Sequence, residues 1–304
     1  MRIDRRVVKY VYCASVLLAV AIRIIQLQYV IDEATGFYKS TSTLTKVLPI
    51  IIIASIALIM LVTIIGRSRN VQTDTAVRQN PFLADIDEIA NRGGFITGIS
   101  SIFISVLLAF EVVKQYQGLT PVANAPMPYF ADLVYIIFTL LSAFIFMRLG
   151  IIGLRKMPIS RNTGYSLLIP VIWLTIRSTV LFMDLIVITS VSQNLLQLLS
   201  TLGTLLFMIL ASRLFSGFEK SHTRHMLIIV GLSSSLLNLV SAVPSFLING
   251  RDSTVNAPIL AVDILLAVFA ASIVNMLLTR DRVIPITANN PTEQNDTEEI
   301  HGDN

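Results

Sequence analysis

The chain is short of cysteine, histidine and charge: among 304 residues there are one Cys, three His and only 14% Asp, Glu, Lys and Arg. Each scarcity excludes something. Soluble domains average about 25% charged residues, so a soluble globular fold is the wrong starting class. Cys13 has no second thiol to pair with, and it stands inside an apolar run, where it reads as a packing residue. His222, His225 and His301 fall outside every predicted helix. His222-Thr-Arg-His225 beside Glu219 imitates a metal-ligand spacing but reads as a solvated inner loop.

Catalytic patterns are scarce as well. Gly231-Leu-Ser233 looks like an intramembrane serine nucleophile without a histidine base, and no GxGD surrounds Asp184 or Asp263. CxxC, HExxH and glycine-rich phosphate loops do not occur, and no polar segment is long enough to bury a core of its own. No catalytic residue, cofactor or metal is expected. The net charge of +4 does not point to nucleic acid, because the bases are scattered through short loops.

What the chain has is apolar length: 54% of it is hydrophobic. Crossing a hydrocarbon core of about 30 Å takes roughly 20 residues at 1.5 Å each. Eight runs meet that length, at 8–31, 46–65, 93–113, 128–150, 165–189, 193–215, 226–248 and 258–279. The expected fold is an all-α, polytopic transmembrane bundle over residues 1–282, followed by a disordered acidic tail at 283–304. The opening MRIDRRVVKY leads into a run too long for a signal-peptide core, so it reads as the first membrane helix. In the longest inner loop, Asn80-Pro81 starts a short interfacial helix through 92.

Orientation follows from the bases. With the N-terminus inside, the inner segments hold 17 of the 23 Lys and Arg and the outer segments four: Lys39, Lys46, Lys114 and Arg251. Both termini are therefore expected in the cytoplasm, in a cell membrane of the bacterial cytoplasmic type. The bilayer is the expected surrounding.

Arg23 and Arg177 are the two bases left within the membrane. Ionisable groups there face the bundle interior, pair, or line water. Arg23 and Gln26 share a stripe of the first helix with Tyr12 and Ser15. The fifth carries Pro170, Arg177 and Asp184 seven apart; two charges about 10 Å apart along an axis are a long reach for one another, so the expected partner of Arg177 is Asp184 or an acid on another helix, Asp263 first. Glu111, Asp132, Asp184 and Asp263 all fall in the outer half, whereas Gln197 and Asn238, with Thr201, Thr204 and Ser234, give polar faces to the sixth and seventh helices. This asymmetry suggests an outward-facing polar cavity lined by Arg23, Gln26, Asp132, Arg177, Asp184, Gln197, Asn238 and Asp263. The same groups can instead clamp helices together, or relay protons. Gly94-xxx-Gly98 and Ser101-xxx-Ser105 are packing spacings. PYFADLVYIIF at 128–138 and PILAVDILLAVF at 258–269 echo one another, each running from proline to an aspartate.

After the first helix, Asp32 to Tyr38 forms a turn: Gly36 tolerates positive φ, and Phe37 and Tyr38 suit the membrane interface. Arg23, Gln26, Asp32, Thr35, Gly36 and Phe37 resemble a pattern in uncharacterised multi-pass membrane proteins of Gram-positive anaerobic bacteria, over about 15 residues, and the resemblance implies no activity. Two functions are open: a transporter-like or ligand-binding bundle taking a small polar ligand, or a non-transporting sensor, anchor or scaffold that meets a protein partner through its cytoplasmic loops.

Overall fold

The computed structural model covers the backbone of residues 5–30, 44–67, 81–118, 128–155, 157, 161–187, 191–217, 221–249 and 257–279. It covers their side chains except at 5–6, 44–45, 66–67, 81–93, 118, 128–131, 161, 184–187, 191–193, 221–222, 249 and 279. The turn at 32–38 and the tail at 283–304 lie outside the described residues. Those described form nine helices and no strand: α1 Arg5–Tyr29, α2 Leu44–Arg67, α3 Pro81–Gly118, α4 Pro128–Leu154, α5 Arg161–Ser166, α6 Leu168–Val187, α7 Val191–Phe215, α8 Ser221–Asn249 and α9 Ala257–Thr279. Eight spans are long and apolar enough to cross a membrane, α5 and α6 together supplying one of them.

Three boundaries differ from the sequence expectation. The segment from Pro81 is not a separate interfacial helix; it is the first part of α3, because proline at the first helical position needs no N–H partner and no second proline interrupts the helix. The predicted span at 165–189 is split at Leu167. Pro170 has no N–H for the carbonyl of Ser166, and Leu167 N–H turns back to Gly164 O at 3.3 Å. Finally, α8 starts at Ser221, so His222 and His225 belong to a helix and not to a loop. Serine at the start of a helix favours that extension. At the end of α7, Gly217 takes φ 85° and its N–H returns to Leu214 O at 3.2 Å, a left-handed stop open to glycine.

Six helices close into a ring in the order α3, α4, α6, α7, α8, α9 and back to α3, while α1 packs outside on α8 and α2 packs on α1 and α8. The tightest seam joins α3 to α4. There Gly94 and Gly98 face Gly150 and Gly153, and a Cβ on Gly153 would stand 2.8 Å from Gly94 O and 2.9 Å from Gly98 Cα. The Gly-xxx-Gly spacing of α3 is thus met by a glycine pair on α4.

One end of the ring brings together α3 at Gly94 with the end of α4 and the start of α8 with the end of α9, the last through Arg224 Nη2 donating to Leu277 O at 2.8 Å. Arg148, Arg155 and Arg213 are exposed at this arginine-bearing end. The outer faces are apolar, with Leu17, Ile53, Phe103, Phe144 and Leu247 among the exposed side chains, as a surface solvated by lipid tails requires.

Candidate functional site

One group of the ring's buried polar side chains shares a layer, while others, such as Ser212 and Ser272, lie nearer the arginine-bearing end. Arg177 on α6 and Asp263 on α9 form a two-pronged ion pair, Nη1 to Oδ1 and Nη2 to Oδ2, both at 2.7 Å. The side chains are 5% and 4% exposed. α6 and α9 are not neighbours in the ring, so this pair crosses its interior. Asp263 lies six residues into α9, about 9 Å from its start. The parallel double hydrogen bond is the strongest geometry open to a guanidinium and a carboxylate.

A second cluster joins α7 to α8. Asn238 Nδ2 donates to Thr204 Oγ1 at 2.6 Å and to Ser234 O at 2.9 Å, and Thr204 Oγ1 donates to Ser200 O at 2.9 Å. A hydrogen bond from a side chain of α8 to the backbone of α9 sets the depth of this cluster. Ser235 Oγ donates to Ala267 O at 2.8 Å, which puts these two residues level. Three residues further along α8 is Asn238, and three residues back along antiparallel α9 is Ile264, adjacent to Asp263. The amide and the ion pair therefore share a level.

The last two ring helices complete it. Glu111 on α3 is 1% exposed and Tyr135 on α4 is 9% exposed, and both lie within electrostatic reach of Arg177. Tyr135 is also within reach of Asp263. Glu111, Tyr135, Arg177, Thr204, Asn238 and Asp263 thus bring one polar side chain from each of the six helices to a single layer. Trp173, one turn before Arg177, lies with its ring centroid 5.8 Å from the guanidinium carbon. Its Nε1 approaches the Tyr135 hydroxyl without completing a hydrogen bond.

Beneath this layer, towards the arginine-bearing end, the interior becomes aromatic. Phe269 meets Phe146 edge-on at 5.8 Å and Phe207 edge-on at 6.3 Å, which ties α9 to α4 and α7 across the ring. Below Phe269 lies an apolar pocket of about 40 Å³, bounded by Gly94, Leu149, Leu214, Ile273 and Leu277. That volume accommodates only a few waters.

The sequence-predicted residues divide. Arg177, Asp263 and Asn238 come together. Gln197 is half-buried on α7 two turns before Thr204, and its backbone carbonyl accepts from Ser200 and Thr201. Asp132 is exposed near the start of α4, so the echo between 128–138 and 258–269 does not carry into environment: its other aspartate, Asp263, is buried. The side chain of Asp184 lies outside the described residues.

Arg23 and Gln26 belong elsewhere. Both are buried on α1, with Arg23 Nη1 donating to Gln26 Oε1 at 3.2 Å, and α1 packs on α2 and α8 outside the ring. A lower link, Tyr12 to Ser235, fastens α1 to α8. Trp173 escaped sequence reading, although its spacing of four from Arg177 was the available signal. The Phe146, Phe207 and Phe269 contact carries no sequence signal, since phenylalanine is ordinary in apolar helices.

No protein-family model, curated protein or solved structure matches this chain.

Proposed function

We propose that the chain is a multi-pass protein of the cell membrane, the cytoplasmic membrane of a bacterium, that admits a small polar solute into the six-helix ring as a transporter-like or solute-binding protein. The observation that supports this is the polar layer, to which every ring helix contributes and which is centred on an ion pair between non-neighbouring helices. Burying such a pair merely to hold helices together gains little over apolar packing. Ionisable groups at membrane depth are costly enough that a solute or ion path is the default reading. The excess of bases in the loops supports a cytoplasmic arginine-bearing end and cytoplasmic termini, with the polar layer nearer the outer face. No catalytic role, cofactor or nucleic acid enters this reading.

The second reading is a non-transporting sensor, anchor or scaffold, which meets protein partners through its cytoplasmic loops. It draws on the mutual satisfaction of Arg177 and Asp263, which would keep the ring shut. Access to the layer separates the two. Ser234 and Thr201 are each 1% exposed, so in a Cys13→Ser background Ser234→Cys and Thr201→Cys react with small polar thiol reagents only when the ring parts. Measurable reaction in folded protein in bilayers is the expected result. If both stay unreactive, the scaffold reading replaces the first.

A further inference from the structure

We infer that the solute is a small zwitterion carrying a carboxylate and an ammonium group, of the amino-acid class, which replaces the Arg177–Asp263 pair by pairing with each partner. The inference rests on the solute-binding reading above and specifies its chemistry.

Arg177 and Asp263 use their charge-assisted hydrogen bonds on each other and are almost wholly out of contact with solvent. A solute that separates them must compensate both charges, because a buried charge stripped of its partner is strongly unfavourable. A simple carboxylate satisfies Arg177 and strands Asp263. A simple amine does the reverse. A neutral molecule satisfies neither as a charge. A zwitterion offers a carboxylate to the guanidinium and an ammonium to the aspartate, so the layer keeps its charge balance while the direct pair opens.

Two further groups match that polarity. Trp173 is fully buried beside Arg177, and its Nε1 donor, near the Tyr135 hydroxyl, completes no hydrogen bond. It can give a third hydrogen bond to a carboxylate held by Arg177. Asn238 is 1% exposed, level with Asp263, and its Oδ1 has no donor. Its orientation is set by Nδ2 donating to Ser234 O, which accepts only, so Oδ1 is the atom left over. It can accept from an ammonium held by Asp263. An unmet donor beside the cation and an unmet acceptor at the level of the anion are the complement of a molecule charged negative at one end and positive at the other.

The test uses the full chain in bilayers with Ser234→Cys on the Cys13→Ser background. The probes are the twenty standard amino acids, with propionate and ethylamine as the two halves of alanine. At least one amino acid should slow thiol modification, by about tenfold at ten times its half-protecting concentration, as mass action requires. Propionate and ethylamine at that concentration should change the rate less than about twofold. Protection by propionate or ethylamine equal to that by any amino acid overturns the inference, and so does reaction that no amino acid slows, although the solute-binding reading survives both results. A thiol that never reacts removes the reading and the inference together. In Asp263→Asn, Arg177 lacks its carboxylate, so propionate should now protect and the amino acid lose its advantage. Unchanged selectivity in that folded variant also overturns the inference.

Discussion

At the scale of the residue, the Arg177–Asp263 pair decides most. Arg177→Leu leaves a buried carboxylate alone, and removing one partner of such a pair costs about 3–5 kcal/mol. The double variant Arg177→Leu with Asp263→Leu leaves no orphaned charge and should regain most of that loss. Unfolding of Arg177→Leu, Asp263→Leu and the double variant in matched micelles checks this: equal damage in all three would mean that the pair has no mutual worth. The pairing was legible in part: Arg177 and Asp184 stand too far apart on one helix to pair easily, which made Asp263 the first candidate on another, although Arg177 counts to mid-membrane and Asp263 to the outer half. Arg23 counts to the outer half too, yet it sits outside the ring. Which helix neighbours which is set by side-chain packing between segments distant in sequence, and no single helix records it. Helical spacing placed Asn238 on a polar face, but nothing in α8 alone showed that Asn238 and Asp263 share a level.

The helix is the scale at which sequence was most transparent, since apolar runs of the required length announce themselves. Ends were less so. Pro81 served as the first residue of a long helix, and Pro170 broke its span three residues upstream, at Leu167; both outcomes follow from the missing N–H, but the carbonyl it fails to satisfy differs in place. The glycines of α3 and α4 make the sharpest prediction. In an open helix Gly→Ala gains about 1 kcal/mol of helix propensity. Gly153→Ala should nevertheless destabilise, because its Cβ would meet the α3 backbone at 2.8–3.1 Å. Gly203→Ala meets Ser234 at 3.4 Å, an ordinary contact, and should be neutral or stabilising. Thermal unfolding of the two variants side by side measures the difference. A Gly153→Ala protein as stable as Gly203→Ala would mean that the seam is looser than its backbone distances imply.

For the whole molecule, the positive-inside reading makes orientation testable. Cysteines at Ser40, Asn124 and Ser253 in a Cys13→Ser background should label with impermeant reagents added to intact cells, and cysteines at Thr73 and Asn295 should not. Labelling at Thr73 would invert the molecule and move the polar layer to the cytoplasmic half.

The placement of α1 and α2 on α8 also has a consequence for how the protein is made. α1 leaves the ribosome first, yet the helix that receives it is the seventh span in chain order. About 190 residues separate the end of α1 from the start of α8, which at roughly 5–20 residues per second is a delay of about 10–40 s. Throughout that interval the first hairpin stands in lipid without the helix on which it finally packs, whereas α3 and α4 can close their glycine seam as soon as both have emerged. Nascent chains halted before Ser221 should therefore keep the first hairpin beside the insertion machinery, detectable by crosslinking from α1. Chains released after Asn249 should let it go.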